Sequence, residues 1–227
     1  MYFTKDHNAI YIKGAGASDL LQGQITRDVS EITPNAYLLS TICDNKGRVI
    51  SLFWIKKLEE GFELVMLSEV SNHFINHLNK YAQFFKADIS EKPLTPDANV
   101  KTRDDWQEYL LSNGIVEVSA KSVGKFTPHE LNYHNLQIID FQKGCYNGQE
   151  VVARMHYRGK LKFGIKKIML SDNFLPLNSD ITDQNGKKIG ETLLLSGKKA
   201  LVLLKNKENI EKELFYKAKK LDFQVLE

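Results

Sequence analysis

Apolar residues recur at every second position through much of this chain and at every third or fourth in a few stretches, and the two periods predict different elements. "AIYIK" (Ala9 to Lys13) reads as a short strand. In the following "GAGASDLLQGQITRDVSEI", Ser18 is placed to cap a helix whose one face carries Leu20, Leu21, Ile25, Val29 and Ile32. Gly23 interrupts that helix at a cost of about 1 kcal/mol relative to alanine, which suggests a close approach by another backbone or a ligand. "AYLLSTIC", "RVISLFWIKK" and "FELVML", joined by "DNKG" and "LEEG", predict a three-strand meander. "SEVSNHFINHLNKY" predicts a helix through Phe74, Ile75, Leu78 and Tyr81, and "QFFKADI" a strand. A linker is expected over Glu91 to Thr102, where two prolines stand among few apolar residues. "DDWQEYLLSN" predicts a helix that stops at Gly114, and "TPHELNYHNL" a short one with Pro128 in its first turn. From Lys160 onward, alternating "KFGIKKIML", "KKIGETLLL", "KALVLLKN" and "LFYKAKKLDFQVL" predict a small antiparallel β-barrel or sandwich. The expected fold is therefore α+β, with a mixed body over residues 1–158 and a barrel over 159–227.

Composition narrows this picture only a little. The 227 residues are 42% hydrophobic and 26% charged, ordinary for a globular protein and sufficient for one large or two modest domains. No window approaches the ~18 apolar residues of a membrane span, and the start lacks the apolar run of a signal peptide, so a soluble, cytoplasmic protein without membrane contact is expected. The net charge of +3 is unevenly spread: residues 160–227 carry 14 Lys and Arg against 9 Asp and Glu. Such a basic third can steer a polyanion such as RNA, but lysines scattered on solvated strand faces are the favoured account, since no aromatic-rich RNA signature accompanies them.

Candidate chemistry concentrates in one place. Gly14 and Gly16 follow a strand and precede a helix as in a dinucleotide fingerprint, but Asp19 stands where the third glycine belongs. His73 and His77 are four apart without the H-E-x-x-H glutamate, and His129, His134 and His156 meet Cys145 at a metal only if the fold gathers them; no metal site is expected. "FQKGCYNGQEVVARMHYRGK" is different in kind. Gly144 and Gly148 bracket Cys145 and Tyr146, which implies unusual backbone angles or a ligand meeting the main chain. Lys143, Arg154, His156 and Arg158 lie near in sequence, and neighbouring cations favour the thiolate. With two cysteines in all, the chain cannot by itself supply the roughly four thiolates of an iron-sulfur cluster. His134 or His156 is a candidate base if the thiol is a nucleophile.

These residues also carry a resemblance. "KGCYNGQE" resembles the K-G-C-Y-x-G-Q-E signature of the YgfZ family of folate-binding proteins, relatives of the glycine-cleavage aminomethyltransferase or T-protein. "LLQGQITRDV" is similar to that family's L-Q-G-Q-x-T-x-D-V segment, "CDNKGR" to its C-D-x-K-G-R turn, and "GKFTPHELN" to its F-x-P-x-x-x-N segment. The matches cover most of residues 14–160. The resemblance implies a T-protein-like folate-binding body, a small C-terminal β-barrel and a tetrahydrofolate cofactor. It also implies a role in assembling or repairing iron-sulfur enzymes, notably the tRNA methylthiotransferases. Cys145 becomes the working residue, with Lys143, Gly144, Tyr146, Gly148, Gln149, Glu150 and Arg154 around it, and Trp106 and Asn132 the expected folate contacts.

Departures from the pattern bear on activity. The T-protein places an assisting Asp just after its K-G-G turn, where this chain has Ser51 and Leu52, so the resemblance does not extend to aminomethyl transfer. A folate-contacting aromatic near the family's N-terminus falls at His7, and the region around the linker is shortened. The alternatives to the accessory role are a one-carbon transferase and a module that contacts tRNA directly through the basic third.

Overall fold

The computed structural model describes residues 3–94, 102–172, 175–205 and 213–226. They form two compact units. The first takes Met1–Lys101, Glu117–Pro128 and Tyr133–Arg158; the second takes Thr102–Val116, His129–Asn132 and Gly159–Glu227.

The first unit is built on a five-stranded antiparallel sheet of β1 (His7–Lys13), β2 (Leu38–Cys43), β3 (Val49–Leu58), β4 (Gly61–Leu67) and β5 (Asp88–Pro93), in the order β2-β3-β4-β1-β5. Alternation sends Ile10, Ile12, Phe53, Ile55, Leu64 and Met66 to one face, where they meet α1 (Ala17–Gln22) and α2 (Ser68–Ala82) in a single core. The meander and the α2 helix stand where the periodicity puts them.

Two expected elements differ. The helix drawn from Ser18 to Ile32 ends after six residues, with Gly16 and not Ser18 as its N-cap and Gly23 as its C-cap. Beyond it Ile25 bridges to Ile42 on β2, and Asp28 caps a short 3-10 turn by accepting the Ser30 N–H at 2.8 Å. Leu20, Leu21, Ile25, Val29 and Ile32 nevertheless all enter the core. The strand expected at "QFFKADI" begins only at Asp88, because the preceding residues turn over the glycines of the first loop. A Cβ on Gly16 would lie 1.9 Å from the Phe85 carbonyl oxygen and one on Gly14 2.4 Å from that of Lys86. Packing therefore explains the glycine pair that resembled a dinucleotide fingerprint.

The linker expected at Glu91–Thr102 begins inside β5 and ends at the cap of α3 (Arg103–Ser112); residues 95–101 between them lie outside the described residues. "TPHELNYHNL" forms successive turns and no helix; Asn132 within it adopts φ 62°, a left-handed angle that stops an α-helix from propagating, and Gln137 just after it φ 55°. After the signature loop comes α4 (Gln149–Arg158), a helix the glycine-flanked pattern did not announce.

In the second unit the alternating segments form β6 (Phe163–Leu170), β7 (Asp180–Thr182), β8 (Lys188–Ser196), β9 (Lys199–Lys205), β10 (Phe215–Tyr216), β11 (Lys219–Lys220) and β12 (Phe223–Leu226). The order β11-β10-β7-β8-β9-β6-β12 gives a curled antiparallel sheet, a half-barrel whose two edge strands do not pair with each other among the described residues. Its concave core holds Ile168, Ile181, Ile189, Ala200, Val202 and Leu204. Leu201 and Leu203 alternate to the other face, where α3 lies and Glu108 accepts hydrogen bonds from Ser196 Oγ (2.9 Å) and Lys199 Nζ (2.7 Å). Among the described residues no helix is long and apolar enough to cross a membrane, and no group of three or more His, Cys, Asp or Glu is placed to hold a metal.

Candidate functional site

The signature loop is held by the three other motif segments of the first unit. Asn147, at the variable position of the signature, donates its backbone N–H to the Gly23 carbonyl (3.0 Å) and its side-chain amide to the Cys43 carbonyl (3.0 Å). The same amide lies 3.4 Å from His77 Nε2, which is 2.9 Å from Gln24 Oε1. Gly148, at φ 81°, sits so close to the "CDNKGR" turn that a Cβ there would be 2.4 Å from the Asp44 carbonyl oxygen. On the far side of that turn Arg48 donates to the Lys125 carbonyl at 2.8 Å, and the Val49 N–H to the Phe126 carbonyl at 2.8 Å. "LLQGQITRDV", "CDNKGR", "GKFTP" and "KGCYNGQE" thus converge on one knot of main-chain hydrogen bonds.

Lys143 is the buried cation of this knot. Its Nζ donates to the carbonyls of Gln22 (2.8 Å) and Ile25 (2.7 Å) at the end of α1, and lies 5.1 Å from the centre of the Tyr146 ring. Burial brings its ammonium from the usual range down to about 8, against the opposing pull of Asp28 and Asp140. Its hydrogen-bonding capacity is directed at the end of α1. Tyr146 is buried, and burial pushes its phenol up. Cys145 and Gly144 between them are exposed. Cys43, the second thiol, is fully buried and burial pushes it well above the ordinary range, so the two cysteines occupy opposite environments. Gln149 and Glu150 open α4, with Glu150 and Arg154 exposed on it.

The expected folate contacts lie in the second unit. Trp106 is on α3, 4% exposed, with its ring stacked on Tyr109 at 5.3 Å. Thr102 and Asp105 close a capping box that fixes the start of this helix. Asn132 takes a left-handed conformation, and its N–H donates to the His129 carbonyl at 3.1 Å.

A second polar constellation on the first unit's sheet, away from the helices, escaped the motif reading. His7 is buried, with Nδ1 3.0 Å from Thr4 Oγ1 and Nε2 2.9 Å from Glu117 Oε1. Phe3 joins His7, Tyr37 and Trp54 in an aromatic cluster with ring centres 5.2 to 5.7 Å apart. Beside it Glu63 accepts hydrogen bonds from Tyr11 (2.9 Å), Tyr37 (2.5 Å) and Lys56 (2.8 Å). Burial alone would raise the Glu63 carboxyl, and these three donors more than offset it. The sequence-level signal was the alternation itself, which puts His7, Tyr11, Trp54, Lys56 and Glu63 on the face opposite the apolar core.

No family model matches the chain. It is 26% identical to the "tRNA-modifying protein YgfZ" of Escherichia coli strain SE11, over 73% of this chain and 70% of that protein. It is also 29% identical to an uncharacterized protein of Haemophilus influenzae, over 69% of this chain and 68% of that one. The chain is a relative of the YgfZ proteins. Its fold is that of the glycine cleavage system aminomethyltransferase T from Bartonella henselae, with a TM-score of 0.72 over 99% of this chain and 84% of that one at 13% identity. The YgfZ resemblance and the T-protein-like fold expected from the motifs therefore both hold.

Proposed function

We propose that this chain is a folate-binding accessory protein of tRNA modification that supports iron-sulfur enzymes, among them those that methylthiolate tRNA, and works through Cys145. The carrying observation is the knot. Four motif segments are tied by main-chain hydrogen bonds, and the loop they fix leaves a thiol in solvent while the residues on both sides of it, Lys143 and Tyr146, are buried. A rigid loop that presents one exposed thiol suits a transient ligand or nucleophile better than core packing does. With one exposed thiol among the described residues, a cluster handled here must draw its remaining ligands, out of about four, from a client enzyme.

Folate binding is supported by the relatives and the fold, and the residues present fit a pterin in chemistry at one place. A carboxylate held by a buried histidine within an aromatic cluster, Glu117 on His7 among Phe3, Tyr37 and Trp54, is the acceptor set that pairs with the N–H edge of a pterin. Trp106 offers little open ring face for stacking, being 4% exposed with its ring against that of Tyr109. When bound, tetrahydrofolate supplies a reduced pterin able to carry a one-carbon unit. The chain's own contribution is to orient Glu117 through its 2.9 Å contact with His7 Nε2, beside the aromatic cluster. The transferase alternative is disfavoured by Ser51, which is fully buried with its hydroxyl turned to the Leu52 carbonyl (3.2 Å) and Met66 Sδ (3.5 Å). No carboxylate stands at that position to move a proton.

The test is the level of methylthiolated tRNA in a bacterial strain lacking its own YgfZ, complemented with this chain or with Cys145→Ala. Rescue by the wild type alone is expected. Equal rescue by Cys145→Ala overturns the thiol's role, and failure of both abundant proteins overturns the accessory reading. Tetrahydrofolate titration of wild type and Glu117→Gln tests the cofactor separately, with at least a tenfold weakening expected in the variant.

A further inference from the structure

The exposed face of α4 carries a group of side chains that the knot does not use. Glu150, Arg154 and Arg158 recur every fourth residue and so form one stripe, and Tyr157 stands beside it, 69% exposed. The Tyr157 ring is held from its neighbours' side: it meets the His156 ring edge-on at 4.9 Å and the Phe141 ring edge-on at 6.4 Å, while His156 and Phe141 stack at 3.7 Å and 16°. An aromatic ring braced in this way yet open to solvent costs little entropy when something stacks on it. The same face offers two guanidinium groups and one carboxylate, and its apolar residues point elsewhere: Val152 is buried and Met155 half-buried. An interface for another protein's apolar anchor would need those aliphatic groups outside. Arginine beside an open aromatic ring is instead the chemistry that takes phosphate with one group and a base with the other.

We propose that the α4 face is a binding surface for single-stranded RNA, with Tyr157 stacking on a base and Arg154 and Arg158 on the flanking phosphates, just past the exposed thiol of Cys145. The inference rests on the accessory reading above only in choosing RNA among single-stranded polyanions. It assigns the contact to α4, where composition alone pointed to the basic C-terminal third.

Fluorescence anisotropy with a fluorescein-labelled 12-nucleotide RNA of unstructured sequence tests it, using full-length protein at several salt concentrations. Tyr157→Ala is expected to weaken binding roughly fivefold to a hundredfold, and Tyr157→Phe, which keeps the ring, to bind within about twofold of wild type. Arg154→Ala with Arg158→Ala is expected to flatten the slope of log affinity against log salt by about 1.4, two phosphate contacts' worth on a single strand. Lys187→Ala with Lys198→Ala, in the second unit, is expected to change neither. No RNA binding by the wild type at about 50 mM salt overturns the proposal and leaves the face to a protein partner. Wild-type binding by the Tyr157→Ala and double-arginine variants overturns it too, as does a loss confined to the lysine variant. Cys145→Ala separates the two readings, since it should bind RNA as the wild type does while failing to restore tRNA methylthiolation.

Discussion

Gly144 and Gly148 flank the same residue pair, Cys145 and Tyr146, and the backbone makes opposite demands on them. Gly148 takes φ 81° and faces the Asp44 carbonyl, whereas a Cβ on Gly144 meets nothing within 4 Å. Gly148→Ala is expected to lose about 1–2 kcal/mol from the left-handed backbone alone, and more as the Asp44 turn gives way. Gly144→Ala should unfold in urea within about 0.5 kcal/mol of wild type, so any functional loss there would reflect an approaching ligand; coincident midpoints for the two variants would contradict the packing argument. Lys143 adds a pH dependence whose sign follows from burial. Its folded pKa of about 8 lies below the ordinary lysine value of 10.5, so between those limits the unfolded chain holds a proton that the folded chain has released. Stability therefore rises with pH across that window, by at most about 1.4 kcal/mol per pH unit, and the cost of the buried charge is full below pH 8. The neutral amine still donates to both carbonyls. In Lys143→Met, which leaves the Gln22 and Ile25 carbonyls without that donor, this dependence disappears. The stability gap between wild type and variant, measured by denaturant at pH 7.5 and pH 10, should widen, and a constant gap would refute the assignment.

Among the elements, the segment from Ser18 to Ile32 shows what a hydrophobic period reports. All five apolar residues assigned to one helical face are buried together, yet only Ala17–Gln22 is α-helical. The pattern recorded which residues face the core and was blind to the break. The local chemistry that makes the break was visible in "RDVSE", where Asp28 is an N-cap for the turn that follows. Asp28→Ala is expected to cost about 1 kcal/mol, since it strips the Ser30 N–H and Ser30 hydroxyl of their acceptor. Gly23→Ala should be neutral or stabilising by up to about 1 kcal/mol, because Gly23 already has right-handed angles and a Cβ there would come no nearer than 3.6 Å to its neighbours. A large loss on Gly23→Ala would restore the close approach that the sequence suggested. The site was legible to a similar depth. Cys145 and its glycines stand out as residues, but the contacts that fix them run through Asn147, at the signature's variable position, and through main-chain carbonyls that no sequence pattern displays. Trp106 shows the converse: an indole advertises stacking, and nothing in its local pattern displays that its ring is 4% exposed and stacked on Tyr109. The helix α4 was hidden because Gly144 and Gly148 dominate the local pattern, although Val152 marks its buried side.

At the scale of the whole chain, sequence order and structural unit part company, since the second unit takes Thr102–Val116 and His129–Asn132 from the middle of the chain as well as its C-terminal stretch. The consequence lies in the half-barrel's second face. Leu194, Leu201 and Leu203 are at most 8% exposed, on the side of the sheet where α3 contributes buried Trp106, Leu110 and Leu111. Without α3, three leucines return to water at about 1.5–3 kcal/mol each. A domain below about 80 residues seldom draws more than about 3–5 kcal/mol from its core, so the loss matches or exceeds the whole margin. Residues 159–227 expressed alone are therefore expected to give a poorly dispersed amide spectrum and to bind a hydrophobic dye. Joining residues 102–116 to their N-terminus through a flexible linker should restore dispersion and abolish dye binding. A well-dispersed spectrum from 159–227 alone would mean that the strands suffice and that α3 is an accessory to the sheet.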